Sequence, residues 1–481
     1  MKLDYKTKIT TDREFYPSLD INTSLESDRG RIISSAAFRR LQNRTQVWSL
    51  ELNSAVRSRL THSLEVSQTA RYIAKSILKE IDIDGLDDAF ISIVEIASLL
   101  HDIGNPPFGH FAEMMFDKWM SENLEHIFSN LMSKAQEKES KFIYMLIDDL
   151  SNFDGNAQAI RIISKLQRYN LSYTQSAAVL KYTRASFEPK PKKDDALSYL
   201  RKKSGYYYSE REFVQRITKT LGIKKGHRFP LTYIMEAADD ISYLTADLED
   251  AVDKGIFDLD EIYRLILKED ARVNADNENE YFKVLVEKSY ERAKKDDKPY
   301  QFNLFLTLLR AKLIGDLVAY VSGVYVQNHK AIFEGSFNSA LLEVDKESKY
   351  LLASEVLRNI AVTHIYNHPK VEKLDLQAYQ ILYGLLNLYK EILLISVEDI
   401  NSVIEGKKIA NKIAMMLFKK LSNKHIVAYN EAVRDIDKHY SKVKQESLEI
   451  YYRVRLLLDY ISGMTDDFAL HEFQTLWALK I

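Results

Sequence analysis

The chain has 481 residues, 46% of them apolar, and a formal net charge of −2 at pH 7. That length can bury a sizeable core, and the near-neutral balance excludes a global electrostatic pull toward nucleic acid or an anionic membrane. The absence of cysteine excludes disulfides and thiolate chemistry and agrees with a cytoplasmic location, the N-terminus lacks a secretory pattern, and no apolar run reaches the roughly 18 to 20 residues of a membrane span.

Only 15 Gly and 8 Pro interrupt the sequence, which predicts an all-α fold of amphipathic helices joined by charged connectors. In chain order the exception comes first. Val47, Trp48, Leu50 and Leu52 predict a short β-hairpin near residues 46–53. A helix opening at Arg59-Leu60-Thr61-His62 runs through Ile73 and Ile77 and turns His62 inward with Val66. The next apolar helix, 91–100, ends at His101-Asp102-Ile103-Gly104-Asn105-Pro106-Pro107-Phe108-Gly109-His110, where Gly and Pro break it. Glu113 follows one helical turn after His110. Polar connectors are expected at 133–141, 188–195, 276–280 and 294–298, and the basic run 219–228 reads as a solvated connector. Tyr206, Tyr207 and Tyr208 read as packing residues. Between these breaks, a helix places Asp239, Tyr243 and Asp247 at i, i+4 and i+8, on one face beside Ile241, Leu244 and Leu248. We divide the chain into a core, residues 1–255, and a helical C-terminal region, residues 256–481, expected to pack as one body.

An adjacent His-Asp pair can offer one ion an imidazole nitrogen and a carboxylate oxygen, a mixed set suited to Mn, Mg, Fe, Co or Zn. Alone such a dipeptide is frequent by chance, and an inward histidine is usually a satisfied core residue. Carboxylates beside a core are rare unless paired or bound to metal. His62, His101, Asp102 and Asp239 therefore form the candidate ligand set, with Asp240 as the alternative to Asp239.

These residues, in this order, resemble the HD-domain phosphohydrolases, and more narrowly the bacterial deoxyguanosine triphosphate triphosphohydrolases. Further blocks carry the likeness: Glu26-Ser27-Asp28-Arg29-Gly30-Arg31, Arg39-Arg40-Leu41-Gln42, Thr45-Gln46-Val47 and Arg57-Ser58-Arg59-Leu60-Thr61-His62-Ser63. Phe153-Asp154-Gly155-Asn156, Lys181-Tyr182-Thr183-Arg184, Lys203-Ser204-Gly205-Tyr206-Tyr207 and Asp459-Tyr460-Ile461-Ser462-Gly463-Met464-Thr465-Asp466 continue it.

The resemblance implies an HD-type helical catalytic core, with a helical C-terminal extension that supplies the base pocket and subunit contacts. It implies one divalent ion per subunit, Mn or Mg first, with Fe, Co or Zn also suited to the donors. The implied reaction is attack of water on the α-phosphorus of a deoxynucleoside triphosphate, releasing deoxynucleoside and inorganic triphosphate. His110 is the implied proton donor to the leaving 5′ oxygen, and Glu113 its partner. Asn156, Lys181, Tyr182 and Lys203 are the implied triphosphate contacts, with Arg59 a weaker addition. Tyr243 is expected against the sugar, and Gln46 and Asp247 at its 3′-hydroxyl. In the family the guanine pocket comes from the C-terminal half. Here Tyr366 offers an aromatic wall and Asp375 stands where a longer Glu is expected. Lys407, Lys408, Lys412 and Met416 occupy the stretch where arginines are expected. Lysine lacks arginine's planar fork, so other deoxynucleotides stand beside dGTP as substrates. Two further readings stay open: an HD phosphodiesterase of other nucleotides, and a nucleotide-sensing protein that binds single-stranded DNA. The expected partners are deoxynucleoside triphosphates, further copies of the chain (a hexamer by resemblance) and single-stranded DNA, with no membrane.

Overall fold

The computed structural model describes residues 3–16, 20–51, 53, 55–275 and 279–479; the side chain of His110 also lies outside the described residues. Leu52 of the expected hairpin and residues 276–278 of one expected connector fall outside them. The described chain is almost wholly helical. Its two short strands, β1 (Arg184–Ala185) and β2 (Ser204–Tyr206), pair in parallel.

The helices that matter for function are α1 (Arg59–Ile77), α2 (Asp87–Leu100), α3 (Gly109–Met132), α4 (Glu137–Leu150), α5 (Gly155–Arg161), α6 (Thr232–Asp253), α7 (Gln301–Gln327), α8 (Lys349–Ile360), α9 (Pro369–Tyr389) and α10 (Lys442–Ser462). Ser58 and Thr61 close a reciprocal capping box at the start of α1, which fixes the turn carrying His62. No side chain among the described residues caps α2. Packing forms it instead: Phe90, Ile93, Val94, Ile96 and Leu100 are fully buried, each contributing about 1.5–3 kcal/mol, more than the ~1 kcal/mol of a missing cap.

One hydrophobic core runs from Tyr5 through α1, α2, α6, α7 and α8, and a second lies under α3, α4, α9 and α10. Helices from both sides of residue 255 build each core. Within the first, α1 packs against both α2 and α6. No single described helix is long and apolar enough to cross a membrane.

Three local expectations are corrected. Residues 46–51 form bends and a turn, with an isolated Thr45–Ser58 bridge in place of a hairpin. Their backbone is held by tertiary partners: Trp48 is buried, Thr45 bonds Asp466 through both its backbone N and its Oγ1, and Leu50 turns into the left-handed region at φ 58°, which breaks strand geometry. The connector at 133–141 shrinks, because a capping box between Gln136 and Glu139 starts α4 at Glu137. Arg228, expected in a solvated run, is fully buried and bonds Glu236 at 2.5 Å. A buried guanidinium requires such a partner.

Candidate active site

The mutual packing of α1, α2 and α6 gathers the candidate ligands. His62 lies in the first turn of α1, His101 and Asp102 just beyond α2, and Asp239 near the middle of α6. Ligand atoms of His62, His101 and Asp102 all lie within 4.8 Å of one another. Asp239 Oδ1 closes the group, 3.3 Å from His62 Nε2 and 3.5 Å from His101 Nε2.

The local structure prepares these donors. His101 Nδ1 lies 2.6 Å from the Ser98 carbonyl, which can only accept, so Nδ1 carries a hydrogen and Nε2 faces the cluster. That Nε2 is buried with no hydrogen-bond partner among the described residues, and Asp102 Oδ1 and Asp239 Oδ1 each lie 3.5 Å from it. Asp102 is held from two sides: Arg59 Nη1 donates to Oδ2 at 2.7 Å, and Asn105 Nδ2 to Oδ1 at 2.6 Å. Burial opposes a charged His101, but Asp102 and Asp239 outweigh it and raise the ring to about 9. Burial likewise opposes the Asp102 carboxylate, yet His101 and Arg59 bring it down to about 2. The pocket thus favours positive charge where the donors meet. Two imidazole nitrogens, one of them the buried His101 Nε2, and two carboxylate oxygens fit a divalent metal ion.

The turn after α2 is tightly built. Phe108 and Gly109 take left-handed φ values of 63° and 64°, and Phe108 N donates to Asp466 Oδ1 at 3.1 Å. A Cβ on Gly104 would stand 2.0 Å from the Gly155 carbonyl oxygen, and one on Gly155 would stand 2.0 Å from Asn105 Oδ1. Glycine at both positions lets α5 lie directly against the ligand-bearing turn. His110 follows in the first turn of α3, its side chain outside the described residues. Glu113, on the same helix, accepts from Gly155 N at 2.8 Å through Oε1.

The implied triphosphate contacts assemble from short segments. Lys181 Nζ lies 3.1 Å from Asp239 Oδ2. Asp154 Oδ1 accepts from both Asn156 N and Asn156 Nδ2, at 2.9 and 2.8 Å, holding that side chain at the start of α5. Strand β2 presses on the chain at Tyr182: a Cβ on Gly205 would meet the Tyr182 carbonyl oxygen at 1.7 Å. This close approach sets the segment that carries Lys203, just before β2, against the chain at buried Tyr182, just before β1. Lys203 is exposed and lines a cleft of about 320 Å³ with Glu113, Asp117 and Asp154. Burial, reinforced by Glu113, raises Asp154 to about 6, and burial together with Glu113 and Asp154 raises Asp117 to about 7.

The implied sugar contacts follow along α6. Tyr243 Oη accepts from Arg358 Nε of α8 at 2.9 Å, and Tyr366 Oη donates to Asp247 Oδ2. The wide helical turn Ala361–Tyr366 that follows α8 delivers Tyr366. Gln46 Oε1 is buried with no hydrogen-bond partner among the described residues, and the Gln46 carbonyl lies beside Gly109. Asp375 sits half-buried on α9, its carboxyl pushed up by burial and Glu372. No hydrogen bond or ion pair among the described residues joins Asp375 to the rest of the set.

Arg59, read in the sequence as a weaker triphosphate contact, is engaged with Asp102. Sequence reasoning missed Asn105, Ser98 and Arg358. Asn105 had a local signal, three residues after Asp102 in the same decapeptide. Arg358 had none, since its partner Tyr243 lies 115 positions away.

Residues 59–191 match the HD domain family, and residues 390–475 match the phosphohydrolase-associated domain. A probable deoxyguanosinetriphosphate triphosphohydrolase of Pseudomonas aeruginosa is 41% identical over 99% of both chains. The deoxyguanosinetriphosphate triphosphohydrolases of Serratia proteamaculans and Klebsiella pneumoniae strain 342 are each 40% identical, over 99% and 100% of both chains. With relatives this similar from end to end, the chain belongs to the deoxyguanosinetriphosphate triphosphohydrolase family of HD-domain proteins.

Proposed function

We propose that this protein hydrolyses dGTP at its α-phosphorus, releasing deoxyguanosine and inorganic triphosphate. The observation that carries the reading is the convergence of His62, His101, Asp102 and Asp239 donor atoms next to Lys181. When bound there, a divalent ion (Mn or Mg, with Fe, Co and Zn also suited) supplies Lewis-acid activation of phosphoryl oxygen and water.

The chain's own residues do the rest. Lys181, Tyr182, Lys203 and Asn156 hold the triphosphate, whose charge demands cationic and hydrogen-bonding contacts. A water oxygen adds to the α-phosphorus as the bond from phosphorus to the 5′ oxygen breaks. His110 delivers a proton to that 5′ oxygen, and Glu113 orients His110 and favours its charged form. Tyr243 packs against the deoxyribose and crowds a 2′-hydroxyl, while Gln46 and Asp247 bond the 3′-hydroxyl. Tyr366 and Asp375 bound the base, from a C-terminal region (256–481) that complements the core (1–255). Such substrates are intracellular nucleotides, which puts the enzyme in the cytoplasm. Assembly into a homo-oligomer, a hexamer by resemblance, and binding of single-stranded DNA belong to the same proposal; light scattering and a labelled oligonucleotide test them.

The decisive experiment incubates purified protein and Mn²⁺ or Mg²⁺ with each of dGTP, dATP, dCTP, dTTP and GTP, and resolves the products by anion exchange. Deoxyguanosine and triphosphate in equal amounts are expected from dGTP, with GTP spared. Matching products from the other deoxynucleotides would keep the mechanism and widen the substrate range beyond dGTP. Release of dGMP with pyrophosphate, or of dGDP with phosphate, would overturn the proposal.

A further inference from the structure

The tyrosine run after β2 belongs to neither the proposed metal set nor the proposed substrate contacts. Within it, Tyr207 is completely buried. Its hydroxyl brackets a single residue: it donates to the Asp154 carbonyl at 3.2 Å and accepts from Asp154 N at 3.3 Å. A side chain engaging both the N–H and the C=O of one residue restrains the two peptide units that flank it. Asp154 is the residue whose Oδ1 holds Asn156 through two hydrogen bonds.

The other face of Tyr207 is also occupied. The Arg455 guanidinium of α10 lies 3.5 Å from the centre of its ring. Arg455 is itself immobilised, donating through Nη2 to Asp149 Oδ2 at 2.6 Å and to the Asp149 carbonyl at 2.9 Å. Both Arg455 and Asp149 are wholly buried. A desolvated guanidinium stacked on an aromatic face is a strong and directional contact. Contacts thus run unbroken from α10, in the phosphohydrolase-associated region, through Arg455, Tyr207 and Asp154 to Asn156.

We propose that Tyr207 is a positioning residue for the triphosphate contact at Asn156, and that Arg455 of the C-terminal region holds it in register. The inference rests on the reading of Asn156 as a triphosphate contact. It gives the C-terminal region a share in phosphate binding without a residue of its own at the phosphates. Tyr207 acts only through the residue it brackets, Asp154, so its effect must vanish when Asn156 is gone.

The test is a double-mutant cycle on the full-length, metal-loaded protein. Inorganic triphosphate is titrated by calorimetry into wild type, Tyr207→Phe, Asn156→Ala and the double variant, with kcat and KM for dGTP measured alongside. Phenylalanine keeps the ring under Arg455 and removes only the hydroxyl. Loss of the bracket is expected to weaken triphosphate binding and raise KM about three- to tenfold, with kcat within about twofold of wild type. The double variant is expected to bind no worse than Asn156→Ala. Wild-type binding by Tyr207→Phe, or a double variant showing the product of the two single losses, would overturn the proposal. So would a wild type that binds no triphosphate. Triphosphate binding that depends on Tyr207 in a protein that leaves dGTP intact would sink the functional reading and keep the positioning role. If Tyr207→Phe does not fold, Arg455→Lys replaces it, keeping the charge for Asp149 and losing the planar stack. The same weakening supports the proposal, and unchanged binding overturns it.

Discussion

Replacing Gly104 by alanine tests the closest contact around the ligand-bearing turn. The new Cβ would lie 2.0 Å from the Gly155 carbonyl oxygen, 2.3 Å from Ala159 N and 2.9 Å from Ala159 Cα. Contacts under 3.0 Å are essentially never tolerated, so the turn and α5 must part by at least about 1 Å (3.0 less 2.0). All three obstacles are backbone atoms, and no side-chain rotation relieves them. Overpacking of this kind costs about 1–3 kcal/mol of stability. The same displacement separates His101 and Asp102 on the turn from Asn156 on α5, and a misplacement near 1 Å costs about 10²-fold in rate. Gly104→Ala is therefore expected to lower kcat/KM for dGTP by about 10²-fold, equivalent to about 2.7 kcal/mol, and to unfold at lower guanidinium concentration. The assay pairs triphosphate release with unfolding monitored by circular dichroism. A variant with the wild-type unfolding midpoint and kcat/KM within about twofold would refute the reasoning, because the turn and α5 would then not be in contact.

The remaining predictions concern single side chains. His110→Ala is expected to abolish turnover with metal content unchanged by elemental analysis; metal loss with surviving activity would defeat its role as proton donor. Asp239→Ala is expected to strip the metal, while Asp240→Ala retains it; the reverse result would move the ligand one residue along α6. Asp117 is raised to about 7 chiefly by burial, so between about pH 4 and pH 7 the folded protein holds a proton that the unfolded chain has released. Stability from this group is full below about pH 4, falls as pH rises to about 7 and is flat above. Asp117→Asn, whose amide oxygen can still accept from Phe153 N, should thus gain stability over wild type more at pH 8 than at pH 5 in guanidinium unfolding. An equal gain at both pH values would contradict the raised carboxyl.

Local chemistry wrote much of this molecule legibly. The His101-Asp102 pair followed by Gly and Pro marks the end of a helix, because proline lacks the N–H and clashes with the preceding turn. The i, i+4, i+8 spacing of Asp239, Tyr243 and Asp247 follows from helical periodicity alone. The segment 46–51 was illegible for the opposite reason. Its alternating apolar residues satisfy strand periodicity, but Asp466 and the burial of Trp48, set by distant parts of the chain, decide its course. Arg228 was misread because charge in a sequence says nothing of depth; Glu236, eight residues on, supplies the buried partner.

From the sequence alone came the family resemblance, the helical class and the types of donor available, since these depend on residue identity and short-range spacing. Only the tertiary structure decided which donors meet. Asp239 lies 177 residues from His62, and no periodicity links two helices that far apart. The packing of α1 against α2 and α6 does so, by burying their apolar faces on one another and leaving their polar groups to converge at one point. The same holds for Arg455 and Tyr207. Their contact follows from the docking of α10 against the core, and that docking is set by surface complementarity between segments that are not neighbours in the chain.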